Sequence, residues 1–198
     1  TNRFRAKAPS AGGSPRALTI GDLNGDTKVD VVVADEGLDS VSVLLGTGTG
    51  KFLAPVNTLA ADAPMALATG FFDGDQNLDV VTANFGPSTV SVLLGKGDGS
   101  FQPAVSYSVG FKPRAVAVGR LNADANADLA VANYSANSVS VLTGKGDGTF
   151  NAPTSMFGVS NPTSLVLADL NGDAKNDLAV GNLYGITILI GTGTGAFQ

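Results

Sequence analysis

The sequence predicts an all-β protein built from four copies of one repeat. An acidic segment of nine residues occurs four times, and successive copies are 49 residues apart, beginning at Asp22, Phe71, Arg120 and Asp169. Each repeat also holds four short apolar segments bounded by Gly, Pro, Asn and Asp, and none of them has a helical period. Four strands in a repeat of about 40 to 50 residues are typical of a β-propeller blade. We therefore predict a propeller of four four-stranded antiparallel blades.

The four strands of each blade follow one another in a fixed order, which the first repeat illustrates. Its first strand begins at Pro15, and its second strand is the β-branched run Val29–Val33 after the acidic segment. The third strand ends at Gly46, and the fourth, weaker strand begins at Phe52 after a glycine-rich turn. Val and Ile favour strands, and glycine allows the positive φ of a tight reversal. These turns are therefore interpreted as strand connections and not as phosphate-binding loops, which would open a helix.

The repeats divide a single domain, residues 1–198, into four blades: 15–63, 64–112, 113–161 and 162–198. The last blade stops where its fourth strand should begin. Residues 1–14 are expected to supply that strand and to close the ring, which protects the sheet edges. Two alternatives remain: the four blades belong to a larger propeller, or two chains exchange their closing strands in an eight-blade ring.

Composition excludes several classes of protein. A hydrophobic content of 43% argues for a folded core, and a net charge of −5 without a basic cluster argues against a nucleic-acid partner. No apolar run approaches the length of a spanning helix, so no membrane insertion is expected. Cysteine and histidine are both absent. Disulfides, ordinary zinc sites and catalysis by histidine or thiolate are therefore excluded.

The acidic segments have the oxygen spacing of a loop that wraps a calcium ion. In the first and fourth copies side-chain oxygens occupy positions one, three, five and nine, and the backbone carbonyl at position seven adds a fifth ligand. The predicted ligands are Asp22, Asn24, Asp26, Lys28 and Asp30 in the first loop and Asp169, Asn171, Asp173, Lys175 and Asp177 in the fourth. The alternative is a surface turn whose Asp and Asn side chains cap nearby amides. Three carboxylates within nine residues repel one another without a cation, so we favour metal binding over the surface turn.

The two middle copies lack the first ligand, because Phe71 and Arg120 occupy that position. The ligands that remain are Asp73, Asp75 and Asp79 in the second loop and Asn122, Asp124 and Asp128 in the third. In the third loop the Arg120 guanidinium is expected to lie across two carboxylates and to replace the ion. We therefore expect two bound Ca²⁺ ions, and at most four.

The motif Asp-x-Asn-Gly-Asp-x-x-x-Asp, inside a repeat ending in Gly-x-Gly-x-Gly-x-Phe, resembles the FG-GAP (VCBS) repeats. Segments such as Phe52–Pro55 and Phe150–Pro153 match the blade-closing segment of that family, and the resemblance covers essentially the whole chain. These repeats form the propeller blades of integrin α-subunits, certain fungal lectins and many bacterial surface proteins. The resemblance implies calcium loops between the first and second strands of a blade, with stabilisation and recognition as tasks. The best-known members have seven blades, whereas this chain has four.

The loops between the second and third strands, and those between blades, vary most among the repeats and share the face opposite the acidic loops. Aromatic rings beside polar side chains suit sugar or peptide binding, and arginines near the axis suit an anionic ligand. The candidate ligand-binding residues are Phe85, Tyr134, Tyr184, Phe111, Arg16 and Arg114. The alternative is that the rings pack against neighbouring blades.

Together these features predict a calcium-stabilised binding or adhesion module without catalytic activity. Its expected ligand is a carbohydrate or a protein, and its expected location is secreted or at the cell surface, where calcium is abundant. A monomer or a strand-exchanged homodimer is expected. The alternatives are a carbohydrate-active propeller enzyme of lyase or dehydratase type, and a structural fragment of a larger propeller.

Overall fold

A computed structural model of the chain describes residues 13–198. The predicted closing strand at 1–14 lies outside these residues except for Gly13 and Ser14, which belong to no strand. The described part contains 15 strands and a single 3₁₀ turn at Glu36–Leu38. It includes no helix of the length and apolar character needed to cross a membrane.

The strands group into four sheets that correspond to the predicted blades. Blade 1 consists of β1 (Pro15–Gly21), β2 (Asp30–Asp35), β3 (Ser40–Leu44) and β4 (Val56–Leu59). Blade 2 consists of β5 (Pro64–Gly70), β6 (Asp79–Asn84), β7 (Thr89–Leu93) and β8 (Val105–Ser108). Blade 3 consists of β9 (Pro113–Gly119), β10 (Asp128–Asn133), β11 (Ser138–Leu142) and β12 (Thr154–Phe157). Blade 4 consists of β13 (Pro162–Ala168), β14 (Asp177–Asn182) and β15 (Gly185–Leu189).

Each sheet is an antiparallel meander, because strands that are consecutive in sequence are also neighbours in space. The second and third strands of blades 2 and 3 are buried almost throughout, as in Asp128–Asn133. Both faces of these strands are buried because a neighbouring blade covers each of them. The fourth strands are short and mostly exposed, as Val56–Leu59 shows. The all-β class and the four antiparallel blades of the sequence prediction are thus confirmed.

The hydrophobic core lies between the blades. Val32, Val41 and Val43 of blade 1 pack with Val80 and Leu93 of blade 2. The other two junctions hold equivalent clusters, which include Phe72, Val90, Leu129 and Phe150 between blades 2 and 3 and Leu121, Val139, Leu178 and Val180 between blades 3 and 4. The stability of each blade therefore depends on the blades beside it.

The inner strands line up in series, with β1 beside β5, β5 beside β9 and β9 beside β13. Within residues 13–198, no comparable packing joins β13 to β1. The described chain is an arc of four blades, and the predicted closure of the ring is not seen in it.

Candidate metal centres and ligand-binding surface

The four acidic loops join the first and second strands of their blades, as the sequence predicts. Each loop is built from turns in which a side-chain oxygen accepts from a backbone N–H two residues later. In the first loop the N–H of Asp26 donates to Asn24 Oδ1 (3.1 Å) and that of Lys28 donates to Asp26 Oδ1 (2.9 Å). Asp and Asn favour these local turns because their short side chains reach the following amides.

The aspartate at loop position nine is fully buried in all four copies. In the first loop Asp30 Oδ2 accepts from the N–H of Leu23 (2.9 Å), and Oδ1 accepts from the N–H of Gly46 (2.7 Å). The same pair of bonds recurs at Asp79, Asp128 and Asp177. This carboxylate therefore fixes the loop to the end of the third strand.

Sequence reasoning assigned position nine to metal ligation and missed this structural role. The sequence did offer a sign of this role. Asp occupies position nine in all four copies, including the two that lack the first ligand, and a glycine follows the third strand in every repeat. Each carboxylate oxygen has two lone pairs, so the bonds to amides leave capacity for a cation.

In the first and fourth loops the position-one aspartate turns toward the loop's own amides. Asp22 accepts from the N–H groups of Gly25 (2.8 Å) and Thr27 (2.7 Å). Asp169 makes the equivalent bonds to Gly172 and Ala174, and the bond from the Ala174 N–H is the main cause that lowers the pKa of Asp169. The amide-capping arrangement considered as an alternative is therefore present in both loops.

The position-five aspartates of the same two loops each pair with a lysine. Lys28 Nζ lies 2.9 Å from Asp26 Oδ2, and Lys175 Nζ lies 3.3 Å from Asp173 Oδ2. The hydrogen bond from the Lys28 side chain lowers the pKa of Asp26. Both pairs are solvent-exposed, and exposed pairs are weak enough for a divalent ion to displace the lysine.

The second loop brings three carboxylates together. Oxygens of Asp73, Asp75 and Asp79 all lie within 4.8 Å of one another. Two oxygens on opposite sides of a calcium ion are also about 4.8 Å apart, because Ca–O distances are near 2.4 Å. Burial raises the pKa of Asp79 to about 6, and the charges of Asp73 and Asp75 add to that effect. A hard divalent cation fits this donor set and would offset the repulsion.

The third loop does not have the predicted built-in cation. Arg120 makes no ion pair in the described chain, and its carbonyl oxygen accepts from Asn176 Nδ2 (3.0 Å). Asn122 Nδ2 donates to Asp124 Oδ2 (3.0 Å) instead. The expectation that the guanidinium would lie across Asp124 and Asp128 is therefore wrong. Asp128 is buried and both of its oxygens accept from backbone N–H groups, while Asp124 accepts within its own turn.

On the ligand-binding side, the structure assembles three of the six candidates at the junction of blades 2 and 3. The Arg114 guanidinium lies 4.1 Å from the Tyr134 ring centroid and 5.7 Å from that of Phe85. Lys112, which sequence reasoning missed, places Nζ 5.0 Å from the Phe85 centroid. Its position in the run Phe111-Lys112-Pro113-Arg114 was the available signal. We call Phe85, Lys112, Arg114 and Tyr134 the cation–aromatic cluster.

The cation–aromatic cluster carries unbalanced positive charge. Neither Lys112 nor Arg114 has an acidic partner within 4.0 Å among residues 13–198. Arg114 Nε is buried and has no hydrogen-bond acceptor there. The cluster can therefore donate to an acceptor that reaches the junction.

The other three candidates lie outside this cluster. Arg16 is paired with Glu36, with Nε 2.6 Å from Oε2. Tyr184 and Phe111 are exposed. The Phe111 carbonyl accepts from the N–H groups of Ser135 and Ala136, so Phe111 lies next to the Tyr134 loop.

Residues 22–81, 72–131 and 120–180 each match the family model described as the FG-GAP-like repeat. The chain is a member of the FG-GAP-like repeat family. The three matches overlap and run through all four acidic loops. No curated protein matches this FG-GAP-like chain in sequence.

Solved structures similar to the FG-GAP-like chain are propeller proteins of different functions. An Agrocybe aegerita lectin that specifically recognises non-reducing terminal N-acetylglucosamine has a TM-score of 0.59 and 22% identity, over 91% of this chain and 50% of the lectin. A Lactobacillus plantarum protein has a TM-score of 0.66 and 18% identity, over 93% and 54%. A Bacillus licheniformis rhamnogalacturonan lyase has a TM-score of 0.60 and 16% identity, over 93% and 42%. The chain spans about half the length of these proteins, and at such identities the likeness shows the fold alone.

Proposed function

We propose that this chain is a calcium-stabilised binding module that acts outside the cell, recognises carbohydrate and has no catalytic activity. The cation–aromatic cluster is the observation that carries the proposal. Its rings offer stacking surfaces for a sugar, and Arg114 and Lys112 offer donors for its oxygens. Because both cations lack an acidic partner among the described residues, a carbohydrate that bears carboxylates fits best.

The similar fold of a lectin that recognises non-reducing terminal N-acetylglucosamine supports this choice. The alternative ligand is an acidic segment of another protein, which carries carboxylates as such a carbohydrate does. Glycan-array binding by the calcium-loaded chain would separate the two, and carboxylate-bearing glycans are expected to bind. Arg114→Ala and Tyr134→Ala should abolish binding. Phe157→Ala, on the exposed outer strand of blade 3, should leave it unchanged. Binding that survives Arg114→Ala, or the absence of any glycan ligand, would contradict the proposal.

For calcium, the converging carboxylates of Asp73, Asp75 and Asp79 are the supporting geometry. We propose that this loop and the first and fourth loops bind Ca²⁺ and so favour the folded state. At each occupied site, a calcium concentration 100-fold above Kd contributes about 2.7 kcal/mol to the free energy of unfolding. That corresponds to about 5–10 °C in Tm for a chain of this size.

The test of the calcium sites is a calcium titration of EDTA-treated protein, followed by its melting temperature. Asp75→Asn should reduce the shift in Tm. Asp98→Asn is the matched control, because Asp98 is exposed in the same blade but lies in the turn between β7 and β8. An unchanged Tm at 10 mM calcium would refute the stabilising role.

A lyase is the competing function, because a rhamnogalacturonan lyase shares the arrangement of blades. Cleavage by elimination leaves a new carbon–carbon double bond, which absorbs ultraviolet light. Incubation of the bound glycan with the calcium-loaded chain should therefore produce no rise in absorbance. A rise that Tyr134→Phe removes would identify an enzyme.

A further inference from the structure

The three junctions between consecutive blades are closed by the same backbone hydrogen bond. A glycine N–H from the turn of the later blade donates to the carbonyl at position two of the earlier blade's acidic loop. These pairs are Gly99 to Leu23 (3.1 Å), Gly148 to Phe72 (2.8 Å) and Gly195 to Leu121 (2.7 Å). The same pair of complementary surfaces therefore packs together at all three junctions.

The same glycines also lie against the residue that follows the third strand of the earlier blade. A Cβ built on Gly99 would stand 2.8 Å from Leu45, and one on Gly148 would stand 2.6 Å from Leu94. At Gly195 the neighbour is Thr143, at 3.2 Å. The turn of each later blade is thus seated on the earlier one.

A fourth copy of each half of this junction exists, and both halves are open. Leu170, the equivalent of Leu121, is 49% exposed, compared with 3% at Leu121. Gly50, the equivalent of Gly99, has no neighbour within 4 Å of its built Cβ among residues 13–198. No acceptor in that part of the chain receives its N–H. Among residues 13–198, the donor and the acceptor of a fourth junction therefore have no partner, and they lie at opposite ends of the arc.

The apolar side chains around these two groups follow the same pattern. On blade 4, Ile186 is 74% exposed, whereas its equivalent Val139 is fully buried. On blade 1, Leu18 is 68% exposed, whereas its equivalent Val116 is 9% exposed. We call Val166, Leu170, Ile186 and Ile188 the outgoing face and Leu18, Ile20 and Val29 the incoming face. Two large apolar faces of this kind mark interaction surfaces.

We propose that a second copy of this chain covers both faces. The outgoing face of one copy packs on the incoming face of the other, and the reverse junction forms at the same time, which closes an eight-blade ring with two-fold symmetry. We choose a second copy because the two faces are complementary. Inside the chain, the equivalent of the outgoing face packs on the equivalent of the incoming face at all three junctions. The chain also covers 50% and 54% of the length of two similar solved structures, which leaves length for a second arc of about the same size.

The proposed junction has defined contacts. The Gly50 N–H of one copy donates to the Leu170 carbonyl of the other, as in the three internal junctions. Ile190, the equivalent of Leu45 and Leu94, lies over Gly50. The junction involves neither the candidate metal ligands of the acidic loops nor the cation–aromatic cluster. The proposed dimer and the proposed function can therefore be tested independently.

Sedimentation velocity and light scattering on the purified 198-residue chain test the proposal. The expected particle has twice the 19.8 kDa mass of one chain. A monomer at micromolar concentration, or an assembly larger than a dimer, would overturn the eight-blade ring. A monomer would leave the faces to further propeller blades.

Variants of the two faces test the geometry. Leu170→Asp with Ile186→Asp, and separately Leu18→Asp with Ile20→Asp, should each give monomers. Because these side chains are exposed in a single copy, the variants should keep the far-ultraviolet circular dichroism of the parent chain. Leu59→Asp, an exposed leucine on the outer strand of blade 1, is the control and should remain dimeric.

Mixing the two variants sharpens the test, because each retains one intact face. An outgoing-face variant and an incoming-face variant should form a heterodimer through the single remaining junction, more weakly than the parent dimer. A dimer that survives the incoming-face substitutions alone would mean that blade 4 pairs with blade 4, and the proposal would be wrong.

Discussion

The buried aspartate at loop position nine provides the sharpest test of how the loops are held, and Asp128 in the third loop is the best copy to change. Its Oδ2 accepts from the N–H groups of Leu121 (2.7 Å) and Asn122 (3.2 Å), and its Oδ1 accepts from that of Gly144 (2.8 Å). Asp128→Asn keeps the shape but places an NH₂ group against one of these donors. The substitution therefore removes at least one hydrogen bond to a charged acceptor and leaves a buried N–H without a partner.

Each of those two losses is worth about 1–3 kcal/mol, so we expect the free energy of unfolding to fall by about 2–6 kcal/mol. Asp124→Asn is the matched control in the same loop, because Asp124 is exposed and accepts only within its own turn. That control should cost less than about 1 kcal/mol.

The assay is urea denaturation followed by circular dichroism, once in EDTA and once in calcium. A structural role requires the same loss for Asp128→Asn under both conditions. If the loss disappears in EDTA, Asp128 acts through a metal ion, and the structural reasoning is refuted. An equal loss for Asp124→Asn would also refute it, because burial would then not matter.

Three further predictions concern the core, the turns and pH. Phe150 is buried, and its ring centroid lies 5.5 Å from that of Phe72. In urea denaturation, Phe150→Ala should lower the free energy of unfolding by about 3–5 kcal/mol. The control Phe157→Ala, at an exposed side chain, should lower it by less than about 0.5 kcal/mol. Gly148 has φ +81° with Leu94 close by, whereas Gly50 has φ +75° and open space; at concentrations where the chain is monomeric, Gly148→Ala should lower Tm more than Gly50→Ala. The folded-state pKa of Asp79 is raised from 3.8 to about 6, so folding favours its protonated form. In EDTA its contribution to stability should fall as pH rises through that window, and the parent chain and Asp79→Asn should differ in this slope.

Much of the fold could be predicted from the sequence because it depends on short-range chemistry. Glycine turns and the recurring prolines act over a few residues, and the first strands begin at Pro15, Pro64, Pro113 and Pro162. The candidate metal ligands of the loops could be proposed from the sequence for the same reason, because Asp and Asn at alternate positions act locally.

The candidate site could be predicted only in part, because its geometry joins distant residues. Arg120 was expected to reach two carboxylates, yet one of them, Asp128, is buried and accepts from the N–H of Gly144, 16 residues further along the chain. Phe85 and Arg114 belong to different blades, and only the packing of blade 2 on blade 3 brings them together with Tyr134. The structural task of Asp30 was hidden as well, because its partner Gly46 lies 16 residues further along the chain.

The sequence by itself determined a repeat of four strands, its period, and the oxygen-rich loops between the first and second strands. The tertiary structure decided which carboxylates converge, which arginine lies against aromatic rings and which apolar faces are left exposed. Leu121 and Leu170 occupy the same position in their repeats, yet one is buried and the other half-exposed. The reason is physical: a local pattern fixes how a blade folds, but the burial of its face depends on the blade that stands next to it.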